Sequence, residues 1–246
     1  MTHPVWPLFD LQVRTPRLEL RYIDDEMATE LALLAAKGIH PPDFMPFAMP
    51  WSEEPSPLLE RNTMQFYWRC RAELSPAKWT IELAVLVEGA VVGTTGLITH
   101  DFRVLRTFET GSWLGREHQG AGIGKEMRIA TLHLGFLGFG AQRATTSAWE
   151  DNGPSLGVTN SLGYVANGHR VQRTTLRDDA RRLPDPPAPR RHHGERGRRL
   201  PRAARPGAHR RLTPSTSVHS RSVAVHSCTG AAPRARHSVS RRAGTR

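Results

Sequence analysis

The sequence is short of cysteine, with two in 246 residues. Cys70 and Cys228 stand far apart, so neither a disulfide framework nor a CxxC metal pair is available, and a reducing cytoplasm is the expected compartment. No apolar run approaches the roughly 18 residues of a membrane span. Residues 1–10 lack a basic stretch followed by an apolar one, so no signal peptide is expected. His100, His118 and His133 are scattered, without HxH or HExxH spacing, and no metal site is expected. No internal repeat stands out. The sharpest absence is regional: residues 171–246 contain no Lys, Ile, Met, Asn, Phe, Tyr or Trp, yet hold 19 Arg, eight Pro and six His. That segment nets +15 and residues 1–170 net −4, giving +11 for the chain. The basic balance therefore belongs to the tail, and a nucleic-acid reading has to be argued there alone.

What is present lies in residues 1–170, which carry all 17 aromatics and all six methionines. Residues 17–23 alternate with period two and read as a strand. Asp24 and Asp25 open a helix through Ala36, stopped by Gly38, Pro41 and Pro42. Residues 41–57 hold six prolines among Phe44, Phe47 and Trp51, a loop with apolar anchors. A helix follows over residues 58–74. Residues 79–87 and 90–99 are strand-like and joined at Glu88-Gly89 as a hairpin. Residues 108–115 form another strand. Ile123, Met127, Ala130, Leu134 and Leu137 share one face of a helix over 124–137. Residues 144–149 are strand-like, 154–162 helical, and Gly163-Tyr164 starts a last strand. Hairpins in the middle and one late βαβ unit imply an α/β fold of the mixed α+β kind: a mostly antiparallel sheet flanked by helices.

The chemistry-bearing signal is Gln119-Gly120-Ala121-Gly122-Ile123-Gly124 between a strand and a helix. Alternate glycines let backbone approach a ligand closely. Amides exposed at the helix N-terminus form an anion site. A dinucleotide fingerprint requires GxGxxG, and this is GxGxG; a Walker loop requires GK[ST], and Lys125 is followed by Glu126. A glycine-rich turn without a ligand is the alternative.

Gln119-x-x-Gly122-x-Gly124 resembles the Q/R-x-x-G-x-G/A motif of the GNAT acetyltransferases. The flanks agree: Ser112-Trp113-Leu114-Gly115 before it, and Asn152-x-x-Ser155 leading to Leu162-Gly163-Tyr164 after it. The opening Thr15-Pro16-Arg17-Leu18 is similar to the ribosomal-protein N-acetyltransferase-like branch. The resemblance covers about residues 10–170. It implies that residues Gln119, Gly120, Ala121, Gly122, Ile123, Gly124 and Lys125 hold the pyrophosphate of acetyl-CoA through backbone amides. Trp113, Leu114 and Gly115 would splay from the 144–148 strand and pair with the pantetheine arm, an amide near Leu114 facing the thioester oxygen. Asn152 would lie near the pantetheine and thiol. Glu109 matches the glutamate used as base, directly or through water, and its alternative is a solvated strand carboxylate. Ser155 would assist the leaving thiolate, or cap a helix. Where many members place a tyrosine acid, Thr159 stands here, and Tyr164 reads as core. The 44–51 cluster is a packed loop or a wall of the acceptor pocket. The acceptor would be an amine, on a small molecule or a protein N-terminus, and a homodimer is compatible with the resemblance.

The same resemblance implies one more strand after that of Tyr164, and none is readable. Residues 171–246 cannot offset their chain entropy by burial and are expected to be disordered. They could be a nucleic-acid-binding arm, a plain linker, or an out-of-frame translation of GC-rich DNA beginning around 171–178. Most of the missing residue types have AT-rich codons, whereas Arg, Pro and Ala have GC-rich ones, which favours the last. The expected organisation is thus an acetyltransferase domain over 10–170 and an Arg/Pro-rich tail. A non-catalytic or misfolded CoA-binding remnant, and a nucleic-acid binder acting through the tail, are the competing functions.

Overall fold

The computed structural model describes residues 3–177 and 216–229. Their strands are β1 Gln12–Arg14, β2 Glu19–Tyr22, β3 Lys78–Val87, β4 Ala90–His100, β5 Thr107–Leu114, β6 Arg143–Trp149, β7 Val165–Arg177 and β8 Thr216–Thr229. Their helices are α1 Asp25–Ala36, α2 Leu58–Ala72, α3 Phe102–Leu105, α4 Ile123–His133 and α5 Gly153–Asn160. The strands form one sheet in the order β1-β2-β3-β4-β5-β6-β8-β7. Every neighbouring pair is antiparallel except β5 and β6, which run parallel. This is the mixed, mostly antiparallel sheet expected from the pattern.

Alternation within β3 sorts the two faces. Ile81, Leu83 and Val85 face the larger core with Met127, Ala130 and Leu132 of α4. Ala84 and Leu86 face Met27, Ala28 and Leu31 of α1 and Tyr67 of α2. Fully buried Leu20, Leu83, Leu97 and Phe108 anchor the α4 side, each worth ~1.5–3 kcal/mol of burial. The β3–β4 hairpin turns at Glu88 and Gly89, both at positive φ (49° and 84°), the geometry of a type I′ turn. Asp24 caps α1 by accepting from Met27 N at 2.8 Å.

Four expectations change. The first strand is a hairpin: β1 precedes β2, its three residues too few to show an alternation before Pro16. The short α3 between β4 and β5 carries no apolar period that marks it. The stripe on α4 breaks at its end because Leu134–Gly138 form a wider π turn, which rotates the helix phase. Phe136 takes the buried place (7% exposed) and Leu137 points out (70%).

The fourth change concerns the tail, which was expected to add no strand. β7 runs on to Arg177, and β8 inserts between β6 and β7. β8 pairs with all of β6, from Arg143↔Thr229 to Trp149↔Val223, and buries Val223 and Ala224. Within an Arg- and His-rich composition, the run Ser222-Val223-Ala224-Val225 is short and apolar enough to pair. The expectation of disorder, and the three origins weighed for the tail, otherwise fall on residues 178–215 and 230–246, outside the described residues.

Candidate functional site

The parallel pair β5–β6 is a fork. Pairing covers only Thr107↔Arg143, Phe108↔Ala144 and Glu109↔Thr145, although both strands continue. Each is held on its far side, β5 by β4 and β6 by β8, so the gap stays open between two supported strands. Gly115 N donates to Val92 O at 3.0 Å, which makes Gly93↔Leu114 a non-hydrogen-bonded pair of the β4–β5 ladder. In such a ladder the polar groups of alternate residues point the other way. The N–H groups of Ser112 and Leu114 therefore face the gap. The amide of Gly115 does not, being committed to β4. The Leu114 carbonyl on that side accepts from Gln119 Nε2 at 2.9 Å.

Arg128 of α4 reaches the gap from below. It donates through Nη1 to Thr146 Oγ1 of β6 (3.1 Å) and through Nη2 to Ser112 Oγ of β5 (3.0 Å). The side chain is 5% exposed, and its Nε has no hydrogen-bond partner among the described residues. A buried cation thus bridges the two arms of the fork. Tyr164 lies beside it, buried as core, and burial raises its phenol despite the lowering influence of Arg128.

At the mouth of the fork, Gly120 and Gly122 both stand at φ +78°, which strongly favours glycine. Gly122 is the N-cap of α4, and no side chain caps the helix. The first intrahelical bond is Glu126 N to Gly122 O, which leaves the amides of Ile123, Gly124 and Lys125 among the free donors of the first turn. Ile123 sends its side chain into the core, so only its amide serves the site. Lys125 is exposed. Uncapped amides, the helix dipole and a glycine backbone together fit an anion such as a pyrophosphate. The adjoining gap, with its N–H groups free to pair, fits an extended chain.

The loop is clamped by residues that sequence reasoning noted only as part of the resemblance. Thr15 Oγ1 and Arg17 N donate to Glu126 Oε1 at 2.5 and 3.2 Å. Arg17 Nε donates to Oε2 at 2.7 Å, and Arg17 Nη1 to Ala121 O at 3.1 Å. Burial pushes the Glu126 carboxyl up, but these hydrogen bonds together hold it below its ordinary range. Gln119 adds a second tie, from Nε2 to Ile39 O at 2.8 Å. Its side chain fixes the loop to the segment after α1 and to β5, and its own amide donates to Arg116 O at 3.3 Å, so Gln119 holds the loop in place and its amide is not among the free donors.

On the α1–α2 face, Glu109 stands at the root of the fork and accepts from Ser147 Oγ at 2.6 Å. Gly111 follows, with nothing within 4 Å of where its Cβ would be. Trp113 packs toward Trp51 (ring centroids 6.0 Å), which packs on Phe47 (5.2 Å). The proline-rich loop therefore walls this face. One residue was missed. Glu82 lies on β3 in phase with Ala84 and Leu86, a carboxylate in an apolar strand, and that phase was the available signal. Thr94 Oγ1 donates to its Oε2 at 3.2 Å. Burial pushes the Glu82 carboxyl up to about 7. Above it, burial and then the Glu82 charge drive the Cys70 thiol to about 12, which makes Cys70 an inert thiol.

Past β6, Asn152 caps α5, its Oδ1 accepting from Ser155 N at 3.2 Å. The Ser155 hydroxyl makes no hydrogen bond among the described residues. Thr159 turns its hydroxyl back to Ser155 O at 2.9 Å. Among the described residues no three His, Cys, Asp or Glu gather as a metal site.

A family model, the acetyltransferase (GNAT) domain, matches residues 17–165. Among solved structures, RimJ of Mycobacterium smegmatis in complex with CoA-disulfide is 15% identical, with a TM-score of 0.54 over 89% of this chain and 85% of that one. An acetyltransferase of Salmonella typhimurium that modifies the N-terminal serine of a 50S ribosomal subunit protein is 13% identical, with a TM-score of 0.55 over 87% and 96%. RimL, a ribosomal α-N-protein acetyltransferase in complex with coenzyme A, is 12% identical, with a TM-score of 0.55 over 89% and 97%. At these identities the likeness to the solved structures is one of fold.

Proposed function

The chain belongs to the GNAT acetyltransferase family, and from that premise we propose that it moves an acetyl group from acetyl-CoA to a primary amine by direct attack. The observation that carries the reading is the fork: the Ser112 and Leu114 amides face an open gap that ends at the uncapped N-terminus of α4. Acetyl-CoA supplies an acyl carbon already activated as a thioester. The amides around Gly120 to Lys125 take the pyrophosphate, and the backbone of β5 takes the pantetheine. Leu114 N–H faces the thioester oxygen, where a single such donor is worth ~10²–10³-fold in rate. The amine has to shed a proton to a base on the α1–α2 face, which contributes ~10²–10⁴-fold. Glu109 is the carboxylate that the family resemblance assigns to this. Ser155, its hydroxyl uncommitted, is assigned to the departing thiolate.

For the acceptor we propose a protein N-terminus, ribosomal proteins being the first class to try. The Thr15-Pro16-Arg17-Leu18 opening supports that choice, and it now has a physical role as the clamp on the glycine loop. Two neighbours of the same fold are named for such substrates. No helix among the described residues is long and apolar enough to cross a membrane, and we place the activity in the cytoplasm. The remnant reading rested on the loss of a last strand, a ground that β8 removes. The test is thiol release from acetyl-CoA with peptides bearing free N-terminal Ser or Ala and with small amines. Release that depends on a peptide is expected. Tight acetyl-CoA binding with no amine accepted would contradict the proposal.

A further inference from the structure

The sheet face under α1 and α2 has a bare strip. Glu82, Gly96 and Gly111 are consecutive across three strands, paired Glu82↔Gly96 and Gly96↔Gly111. Neighbouring strands are about 5 Å apart. The Glu82 carboxylate leans along this strip: a Cβ on Gly96 would lie 2.2 Å from Glu82 Oε1. The carboxylate thus occupies the space that a side chain at Gly96 would need. The next position, Gly111, is exposed, with nothing within 4 Å of its missing Cβ. Gly96 is thus covered by the Glu82 carboxylate, and the sheet face opens beside it over Gly111, toward the open part of the fork.

The position along β5 matters as much. Glu109 is the last residue of β5 still paired with β6, and its carboxylate is turned to Ser147 on that strand. Gly111 lies beyond the pairing, between Thr110 and Ser112, on the stretch whose amides face the gap. The row that ends in Glu82 thus opens onto the part of the fork where an acyl group can sit, and Glu109 stands at its closed root.

We infer that Glu82, rather than Glu109, takes the proton of the acceptor amine, which enters over Gly111. This rests on the acetyl-transfer reading. In the step, the ammonium gives one proton to the Glu82 carboxylate. The freed nitrogen pair forms the C–N bond as the C–S bond breaks. The second nitrogen proton goes to the departing thiolate, giving the amide and the free thiol of CoA. Glu82 then returns its proton to solvent. The surroundings suit this role. Tyr67 and Cys70 of α2 are the titratable side chains against Glu82, and both stay protonated at neutral pH. Thr94 of β4 donates to it, Glu109 lies further along β5, and α1 presents apolar Met27, Ala28 and Leu31 to this face. Desolvation, with no cation beside it among the described residues, brings the carboxyl near neutrality, where a base works best.

The experiment compares the full-length protein with Glu82→Gln and Glu109→Gln. First, kcat/KM is followed against pH with an N-terminal Ser peptide, and acetyl-CoA affinity is measured by calorimetry. Glu82→Gln should lose the rising limb near neutral pH and at least about tenfold in rate, with acetyl-CoA affinity unchanged. Glu109→Gln should keep the limb. Second, carbon-13 NMR of glutamate-labelled protein bound to CoA follows the Glu82 carboxyl as the peptide is added. It should lose its proton to solvent as it pairs with the incoming ammonium. A limb that survives in Glu82→Gln, or a Glu82 signal indifferent to the peptide, overturns the inference. Bound acetyl-CoA with no peptide turned over, but a responsive Glu82, would instead count against the acetyl-transfer reading.

Discussion

Gly122 concentrates two demands in one residue. Its φ of +78° suits glycine, and a Cβ there would come within 3.4 Å of Arg17 Nη2. Gly122→Val should therefore distort the loop and weaken acetyl-CoA binding by at least about tenfold. Calorimetry on a variant shown to be folded checks this, and unchanged affinity would remove the loop from the binding site. Glu82 gives a prediction of different kind. Its folded carboxyl, at about 7, holds the proton more tightly than the ordinary 4.5 of an unfolded chain. The stability tied to it is complete below about 4.5 and is lost as pH rises through about 7. Glu82→Gln cannot lose that proton, so it should melt above the wild type at about pH 8 and level with it in acid. Equal melting temperatures at both ends would show that Glu82 is not desolvated. At this scale the glycine loop was legible because glycine at fixed offsets leaves few readings. Glu82 was not, because its meaning depends on Gly96 and Gly111, which lie on other strands.

Among the elements, the hairpin and the α1 cap were legible because their chemistry is local. Glu88-Gly89 and Asp24 each act within a few residues of chain. The fork was legible only through resemblance. Nothing in β5 or β6 separately states that their pairing stops after Glu109↔Thr145. Arg128 bridging Ser112 and Thr146 is likewise a fact of three elements meeting. The π turn after α4 escaped notice because a period of 3.6 still fits Leu137 on paper. α5 offers a clean test. Asn152→Ala removes the bond to Ser155 N and should cost about 1 kcal/mol of stability, while Asn152→Asp should retain it. Thermal melting decides. A loss of acetyl-CoA affinity in Asn152→Ala without any loss of stability would move Asn152 from the cap to the ligand.

For the molecule as a whole, the distinctive feature is that β6 depends on β8. One arm of the fork, β5, is held by β4, and the other, β6, by a strand drawn from the Arg-rich tail. Ending the chain at residue 215 should strip β6 of its outer partner, remove the buried Val223 and Ala224 from the core, and leave unpaired edges prone to association. The melting temperature should fall by at least about 5 °C. A truncated protein that melts like the full chain would take β8 out of the fold and return the tail to its out-of-frame reading. Composition hid this strand because its short apolar run sits between histidines, serines and arginines. The central claim is that the fork between β5 and β6, with the glycine loop at its mouth, receives acetyl-CoA. Amide hydrogen exchange read residue by residue, with and without acetyl-CoA, tests it most directly. Protection should appear at Leu114 and Ser112 and at the amides of Ile123, Gly124 and Lys125. Exchange unchanged at these amides under saturating acetyl-CoA would contradict the account.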